Sequence, residues 1–308
     1  MKAAIINAYG SKVEISDIAK PALLPDSVMI EVHAASVNPV DNLIRAGYMK
    51  AMLPIQFPYT VGNDVSGVVT EVGREVSKFK VGDAVFARPR SLQSGTFAEF
   101  VQVNEADVAL KPAKLSHEQA ASLPLVALTA WQALVSKANL QRGQKVLIHA
   151  GSGGVGSIAI QIAKHLGAQV ATTTSTENIE MVRALGADTV IDYRTQKFEE
   201  LLNDYDLVFD TLGGATREKS YSVLKPGGQL VSIIAPADSS GLAEKLGVKS
   251  ELFFMWPSGE QLAQIAALVE QGAIQPQIDR SYALEQAQEA FDYSQSGRAK
   301  GKIVIKLK

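Results

Sequence analysis

The sequence contains no cysteine among its 308 residues and only four histidines. The lack of cysteine excludes disulfide bonds, iron–sulfur clusters, thiolate-bound zinc and a cysteine nucleophile. A basic surplus is missing too, since 30 Lys and Arg stand against 32 Asp and Glu and the formal net charge is −2. Nucleic-acid-binding domains are strongly basic, so we expect no nucleic-acid partner.

Long apolar runs are also absent. The apolar start at residues 3–6 soon reaches Asn7 and Gly10, which makes it too short for a secretory signal, and no later run is long enough to span a bilayer. Apolar residues still make up 46% of the chain, an ordinary fraction for a globular protein. We therefore expect a soluble, cytoplasmic protein without a membrane partner.

The first third of the sequence has the pattern of β structure interrupted by glycine turns. Apolar stretches at Val28–Val32 and Val65–Val72 predict strands. A helical pattern begins only at Ser116, which forms a capping-box pattern with Gln119, and it continues to Ala138.

From residue 145 onward, strands and helices alternate, which predicts a parallel sheet covered by helices. Strands are predicted at 146–150, 170–174, 189–192, 207–210, 229–234 and 302–307, and helices at 155–166, 176–185 and 260–271. We predict a β domain over residues 1–125, completed by 272–308, and a nucleotide-binding domain over residues 126–271.

A glycine-rich motif joins the first strand and helix of this alternating region. It matches G-x-G-x-x-G and consists of Gly151, Ser152, Gly153, Gly154, Val155 and Gly156. In this context Gly151 permits a tight turn, Gly153 lets the backbone approach a pyrophosphate, and Gly156 permits close helix–strand packing. Because a helix N-terminus attracts anions, the motif predicts a dinucleotide site.

The end of the second strand favours NADP(H) over NAD(H). An NAD site carries a carboxylate about 20 residues beyond the motif, whereas this sequence has Thr174 and Ser175 there and no carboxylate before Glu177. Hydroxyl groups can donate to a 2′-phosphate that a carboxylate would repel. No basic residue follows directly, so Arg194 or Lys197 is the expected source of positive charge.

Several motifs together resemble the zinc-independent quinone oxidoreductase branch of the medium-chain dehydrogenases/reductases. They are Pro58–Val69, Val72–Gly73, Val81–Val85, His149–Gly156 and Ala184–Asp188. The resemblance covers essentially the whole chain. It implies an α/β fold in which a GroES-like β domain accompanies a doubly wound, parallel Rossmann sheet. It also implies an active site in the cleft between the two domains, and a homodimer.

The resemblance places Asn38 and Asn63 where zinc-dependent relatives carry a cysteine and a histidine ligand. Amide side chains are poor zinc ligands. The histidines, at positions 33, 117, 149 and 165, share no metal-ligand spacing. We predict that the protein binds no metal.

Without a metal, hydride transfer favours acceptors that spread the incoming negative charge themselves. Quinones and α,β-unsaturated carbonyls do so by conjugation, whereas a simple ketone needs a Lewis acid to stabilise the developing alkoxide. The predicted function is an NADPH-dependent oxidoreductase that reduces a small quinone or enone. A non-catalytic NADPH-binding or redox-sensing protein and an enoyl-thioester reductase are the alternatives.

The resemblance also assigns residues to the site. Tyr48, Asn38, Asp41 and Asn63 match the catalytic side. Tyr48 would orient the nicotinamide or donate a hydrogen bond to a substrate carbonyl, and Asn63 would act as an amide donor to that oxygen. Asp41 is expected to anchor its own loop. Lys300 and Lys302 lie in a segment where the family sometimes places a cofactor contact, and both are expected to be exposed lysines of an edge strand. Further cofactor positions are matched by Tyr48, Thr129, Ser175, Tyr193, Leu212, Ile234, Ala235, Phe254 and Met255.

Overall fold

Two compact units make up the chain in a computed structural model, which describes residues 1–90, 95–236 and 240–308. Unit 1 comprises Met1–Leu128, Trp256–Gly272 and Pro276–Lys308, and unit 2 comprises Thr129–Met255 and Ala273–Gln275.

Strands and helices are numbered in chain order over the described residues. The strands are β1 (Lys2–Ile6), β2 (Glu14–Asp17), β3 (Ser27–Val37), β4 (Tyr59–Thr60), β5 (Asp64–Val72), β6 (Ala84–Ala87), β7 (Phe100–Asn104), β8 (Val108–Leu110), β9 (Lys145–Ile148), β10 (Gln169–Thr174), β11 (Thr189–Asp192), β12 (Tyr205–Asp210), β13 (Leu224–Ser232), β14 (Lys249–Leu252), β15 (Ile278–Ala283) and β16 (Lys302–Lys306). The α-helices are α1 (Pro39–Arg45), α2 (His117–Ala121), α3 (Pro124–Trp131), α4 (Gly154–His165), α5 (Ile179–Ala184), α6 (Phe198–Leu201), α7 (Gly214–Ser220), α8 (Leu242–Lys245), α9 (Gly259–Glu270) and α10 (Ala287–Gln295). None of these helices is both long and apolar enough to cross a lipid bilayer.

Unit 1 is built on β sheets. Its larger sheet has the strand order β15-β16-β3-β5-β6-β8, with β7 also paired to β3. A smaller sheet has the order β2-β1-β4. Strand β3 is 11 residues long and almost wholly buried, because its Val, Ile and Ala side chains pack inside the unit. Strands β15 and β16, from the last part of the chain, lie in this same sheet.

Unit 2 contains one parallel sheet with the order β11-β10-β9-β12-β13-β14. Counted from β9, this order reads 3-2-1-4-5-6, which is typical of dinucleotide-binding folds. The order reverses between β9 and β12, and ligands of such sheets bind outside the carboxyl ends of the strands at that point. The glycine motif follows β9 directly, so the topology places it where a ligand is expected.

The helical pattern predicted from Ser116 to Ala138 is divided in the structure. It consists of α2, α3 and a π-helical segment at Gln132–Lys137. Pro124 is the first residue of α3, because proline lacks the N–H that a continuous helix would use. The predicted capping box is confirmed, since Ser116 Oγ accepts the Gln119 N–H at 3.2 Å and Gln119 Oε1 accepts the Ser116 N–H at 3.0 Å. The helix predicted at 260–271 is α9, which lies in unit 1 and packs against β8.

His149 is a fully buried part of the core of unit 2. Its Nε2 lies 2.8 Å from Ser220 Oγ and its Nδ1 lies 3.1 Å from Thr173 Oγ1. Ser220 uses its own proton on the Thr216 carbonyl, so Ser220 accepts and Nε2 of a neutral imidazole donates. The ring also packs edge-on against Phe198 at 4.8 Å between centroids. These contacts fit a structural histidine.

We expect His149 to make unit 2 sensitive to acid. Burial lowers the pKa of His149 from 6.5 to about 4. The unfolded chain therefore binds a proton between pH 6.5 and 4 that the folded chain does not, and stability falls as the pH falls through this window. Between pH 7 and pH 4, the free energy of unfolding should fall by about 3 kcal/mol less in His149→Gln than in the wild type. Urea unfolding at the two pH values measures this difference. His165→Gln, at an exposed position of α4, is the control; equal pH dependence in all three proteins would contradict the prediction.

Candidate functional site

The loop after β9 turns sharply into α4. Ala150 adopts a left-handed conformation with φ of 51°, and the Gly153 N–H donates to the Ala150 carbonyl at 2.9 Å. The sequence interpretation gave the tight turn to Gly151. The structure assigns the left-handed position to Ala150 instead.

The three motif glycines meet different surroundings. A Cβ atom on Gly151 would lie 2.1 Å from Thr172 Oγ1, and one on Gly156 would lie 2.3 Å from the Ala150 carbonyl oxygen. Both positions therefore serve close packing. Among the described residues, a Cβ on Gly153 would have one neighbour within 4 Å, the Ala150 carbonyl oxygen at 3.3 Å. Gly153 is therefore the least crowded of the three glycines, and the backbone approach of a pyrophosphate requires room at this position.

The first turn of α4 supplies the donors that such an anion needs. The N–H groups of Gly154, Val155 and Gly156 have no acceptor within the helix, because the first turn of any α-helix lacks them. Gly153 is the N-cap and has no side chain with which to satisfy them. The N-terminal end of the 12-residue helix also carries a partial positive charge. The loop and helix fit the pyrophosphate of a dinucleotide.

Polar side chains converge beside this loop at the end of β10. Ser152 Oγ accepts hydrogen bonds from Thr174 Oγ1 at 3.0 Å and from Asn178 Nδ2 at 3.2 Å, and Asn178 Nδ2 also donates to Ser175 Oγ at 3.1 Å. The structure therefore brings together the predicted residues Ser152, Thr174 and Ser175. Asn178, which the sequence analysis did not select, links them. Tyr193 follows β11, and 60% of its surface is exposed.

A buried ion pair braces the loops after β12 and β13. Arg217 Nε donates to Asp210 Oδ2 at 2.7 Å, and the same guanidinium donates to the Ile234 carbonyl. Asp210 Oδ1 accepts the Leu212 N–H at 3.0 Å. The predicted residues Leu212 and Ile234 are thus held by one ion pair that the sequence analysis missed. The available signal was an aspartate at a strand end, followed seven residues later by an arginine.

The remaining predicted cofactor residues of unit 2 differ in exposure. Thr129 is buried, Met255 is half-buried, and Ala235 and Phe254 are exposed.

In unit 1, Asn38, Asp41 and Asn63 form one buried group. Asn38 is the N-cap of α1, and Asp41 Oδ2 accepts its N–H at 2.7 Å. Asn63 Nδ2 donates to Asp41 Oδ1 at 2.5 Å. Burial raises the pKa of Asp41 to about 6, although the hydrogen bonds from Asn63 and Asn38 oppose this shift. Tyr48 lies outside this group, with 83% of its surface exposed.

A buried lysine completes this group. The expectation that Lys302 is an exposed edge lysine is wrong, because β16 lies between β15 and β3 and the Lys302 side chain is only 6% exposed. Its Nζ donates to Asn38 Oδ1 at 2.5 Å and to the Val37 carbonyl at 2.9 Å, and it lies 3.4 Å from Asp64 Oδ2. Burial lowers the pKa of Lys302, and the charges of Asp64 and Asp41 oppose that effect.

The side-chain oxygen and nitrogen of Asn38, one of the two residues at the positions of the zinc ligands, are both engaged. Asn38 Oδ1 faces the Lys302 ammonium, and Asn38 Nδ2 donates to Asp64 Oδ2 at 2.8 Å. The cation beside the Asn38 side chain is therefore the Lys302 ammonium. Across the described ranges, no three His, Cys, Asp or Glu residues are grouped so that they could hold a metal ion. His33 and His117, far apart in sequence, lie with ring centroids 4.4 Å apart.

Comparisons with known proteins agree with this architecture. An alcohol dehydrogenase GroES-like domain model matches residues 24–113, and a zinc-binding dehydrogenase model matches residues 185–305. The mitochondrial NAD(P)H oxidoreductase RTN4IP1 of Danio rerio is 36% identical over 100% of this chain and 91% of its own length. The chloroplastic NADPH-dependent alkenal/one oxidoreductase of Arabidopsis thaliana is 37% identical over 99% of this chain and 79% of its own length. The structure of the quinone oxidoreductase from Coxiella burnetii matches with a TM-score of 0.91 and 33% identity, covering 100% of this chain and 99% of that one. This chain belongs to the zinc-independent quinone oxidoreductase branch of the medium-chain dehydrogenase/reductase superfamily.

Family membership confirms the predicted combination of a GroES-like domain and a Rossmann sheet. It also confirms that the chain is an oxidoreductase, and the NAD(P)H and NADPH in the relatives' names confirm NADP(H) as the cofactor. The predicted cytoplasmic location is wrong, because these relatives from Danio rerio and Arabidopsis thaliana are mitochondrial and chloroplastic proteins. The fold of a domain does not determine its cellular compartment, because targeting segments are recognised separately from folded domains.

Proposed function

We propose that this chain reduces small quinones or α,β-unsaturated carbonyls with NADPH and without a metal ion. The observation that carries the proposal is the buried Lys302 ammonium, 2.5 Å from the amide oxygen of Asn38. This contact occupies the acceptor of Asn38 and puts a positive charge where a metal cation would be repelled. A substrate that disperses negative charge by its own conjugation suits such a site.

NADPH supplies the hydride when it is bound. The chain's own residues would hold and orient it. The N–H groups of Gly154, Val155 and Gly156 would bind the pyrophosphate, and the group of Ser152, Thr174 and Ser175 would face the adenosine end. Leu212, Ile234, Ala235, Phe254 and Met255 would cover the nicotinamide, with Thr129 and Tyr193 completing the cofactor contacts.

On the side of unit 1, we propose that Tyr48 and Asn63 donate hydrogen bonds to the carbonyl oxygen of the substrate. Asn63 Nδ2 has a second proton besides the one that faces Asp41. Asp41 holds this amide in a fixed orientation, and Asn38 links Asp41 to Lys302. Asp41 would thus position Asn63 rather than contact the substrate. Because the Tyr48 hydroxyl would bond the carbonyl oxygen as negative charge develops there, Tyr48→Phe would lower kcat while NADPH affinity stays unchanged, and a loss of NADPH affinity would instead mean that Tyr48 orients the nicotinamide.

An NADPH-oxidation screen tests the function. The acceptors are ortho-quinones, para-quinones, enals, enones, an enoyl thioester and a saturated ketone. We expect turnover of quinones or enones, none of the saturated ketone, and no change of rate after dialysis against a strong chelator. Equal reduction of the saturated ketone, or a loss of rate that zinc restores, would overturn the proposal. Fastest turnover of the thioester would favour an enoyl-thioester reductase. NADPH binding without reduction of any acceptor would favour a redox-sensing protein.

We also propose that the chain acts as a homodimer without nucleic-acid or membrane partners. The family resemblance supports this assembly. Sedimentation equilibrium would show twice the chain mass, and a monomer mass at micromolar concentration would contradict it.

A further inference from the structure

Arg194 and Glu177 form an ion pair at the carboxyl ends of the second and third strands of unit 2, β10 and β11. Arg194 donates from both terminal nitrogens to both carboxylate oxygens of Glu177, at 2.8 and 3.0 Å. This parallel geometry is the strong form of an arginine–carboxylate contact. The two side chains are 52% and 46% exposed, so solvent and ligands can reach the pair.

The fold places this pair at the carboxyl ends of two neighbouring strands. Glu177 lies three residues beyond the end of β10, and Arg194 lies two residues beyond the end of β11. In dinucleotide-binding sheets, the adenosine ribose and its 2′-substituent are bound beyond the second strand. Asp192 braces both loops, since its carboxylate accepts Thr176 Oγ1 at 2.6 Å and the Arg194 N–H at 3.0 Å. The loops thus keep their positions without help from the ion pair.

Lys197, three residues beyond Arg194, is paired with Glu200 at 2.7 Å. Ile179, two residues beyond Glu177, is apolar and begins α5. A 2′-phosphate needs a cation, and Glu177 already engages both terminal nitrogens of Arg194, so a phosphate has to share or displace this carboxylate. A ribose with a free 2′-hydroxyl can instead donate to the Glu177 carboxylate.

We propose that Glu177 competes with the 2′-phosphate of the cofactor for Arg194 and thereby sets the ratio of NADPH to NADH affinity. This inference rests on the proposed use of NADPH but not on the identity of the acceptor. Glu177 weakens NADPH binding in two ways, because it occupies a donor on each terminal nitrogen of Arg194 and because its own charge repels the phosphate. The carboxylate of Glu177 can accept the free 2′-hydroxyl of NADH. The pair therefore supports NADH binding, which an arginine alone would not favour.

Fluorescence titration of the intact protein with NADPH and with NADH tests the inference. Glu177→Gln should bind NADPH about fivefold more tightly and NADH equally or more weakly. Arg194→Gln should bind NADPH about tenfold to a hundredfold more weakly and leave NADH binding almost unchanged. In the double variant, the change at 177 should have a smaller effect on NADPH than in the wild type, because only the direct repulsion between Glu177 and the phosphate remains to be removed.

The matched control is Glu180→Gln, which removes another exposed carboxylate paired with an arginine at 2.8 Å, on the adjacent helix α5. If Glu177→Gln shifts the affinity ratio no more than Glu180→Gln, the inference is wrong. A parallel change for both cofactors would also overturn it. Wild-type protein that binds neither cofactor would instead refute the proposed function, so the two failures are distinguishable.

Discussion

Gly153→Val is expected to abolish NADPH binding while the protein remains folded. Gly153 has φ of −80° and ψ of 173°, an extended conformation that valine adopts without strain. The added Cβ would lie 3.3 Å from the Ala150 carbonyl oxygen, and the branched side chain would occupy room that the pyrophosphate needs for its approach. We expect the Kd for NADPH to rise at least about a hundredfold, which corresponds to about 2.7 kcal/mol. Fluorescence titration measures the loss, and circular dichroism with thermal unfolding checks the fold.

Gly156→Ala is the contrasting variant. Its Cβ would lie 2.3 Å from the Ala150 carbonyl oxygen, so this substitution should lower Tm before it affects binding selectively. Gly153→Ala, which adds one methyl group, should give an intermediate loss of affinity. Unchanged NADPH binding in Gly153→Val would mean that the cofactor does not approach this loop.

Lys302→Met should destabilise unit 1 by about 3–5 kcal/mol, since it leaves the buried Asp64 carboxylate without its cation. Asp64 is fully buried and also accepts hydrogen bonds from Ser36 Oγ at 2.9 Å and the Leu125 N–H at 2.8 Å. Methionine keeps most of the length of the lysine side chain, so the change removes chiefly the charge. Urea unfolding at pH 7 measures the effect.

Lys306→Met on the same strand is the control. Lys306 pairs with Glu118 at 2.7 Å, but its side chain is 50% exposed, so its loss should cost less than about 1 kcal/mol. Adding Asp64→Asn to Lys302→Met should recover part of the lost stability, because the uncompensated charge is then gone. Equal effects of the two lysine substitutions would show that Lys302 contributes no more than a surface residue.

Local pattern was sufficient to predict the first five strands of unit 2 and the helices α4 and α5. These strands are apolar runs bounded by turns, and α4 has apolar residues at spacings of three and four, so they were visible within a short window. Strand β14 and the helices α6, α7 and α8 were not predicted, because β14 has one apolar residue in four and these helices have only four to seven residues. The glycine motif was visible for the same reason. The helix predicted at 176–185 begins as a 3-10 turn at Thr176–Asn178, and the α-helical part covers only Ile179–Ala184. End turns of this kind depend on a few hydrogen bonds that the sequence pattern does not specify.

Elements and contacts that depend on distant residues were not predictable. Helix α1 has seven residues and only one fully buried aliphatic side chain, Ile44, so it lacks a helical repeat. The burial of Lys302 depends on Val37, Asn38 and Asp64, which lie more than 230 residues away in the chain. Nothing in the local sequence distinguishes this lysine from Lys306, four residues later. The Glu177–Arg194 pair likewise forms between two loops that only the parallel sheet brings together.

The central place of β16 in the sheet of unit 1 determines when that sheet can be completed during protein synthesis. Strand β3 needs β16 on one side, and 265 residues separate Val37 from Lys302. At a translation rate of about 5–20 residues per second, β3 waits roughly 13–53 s for this neighbour. All strands of unit 2 leave the ribosome in that interval. The nascent chain therefore carries an open strand edge on β3 after its nucleotide-binding sheet can fold, and an open edge is where chaperones or a second nascent chain would bind.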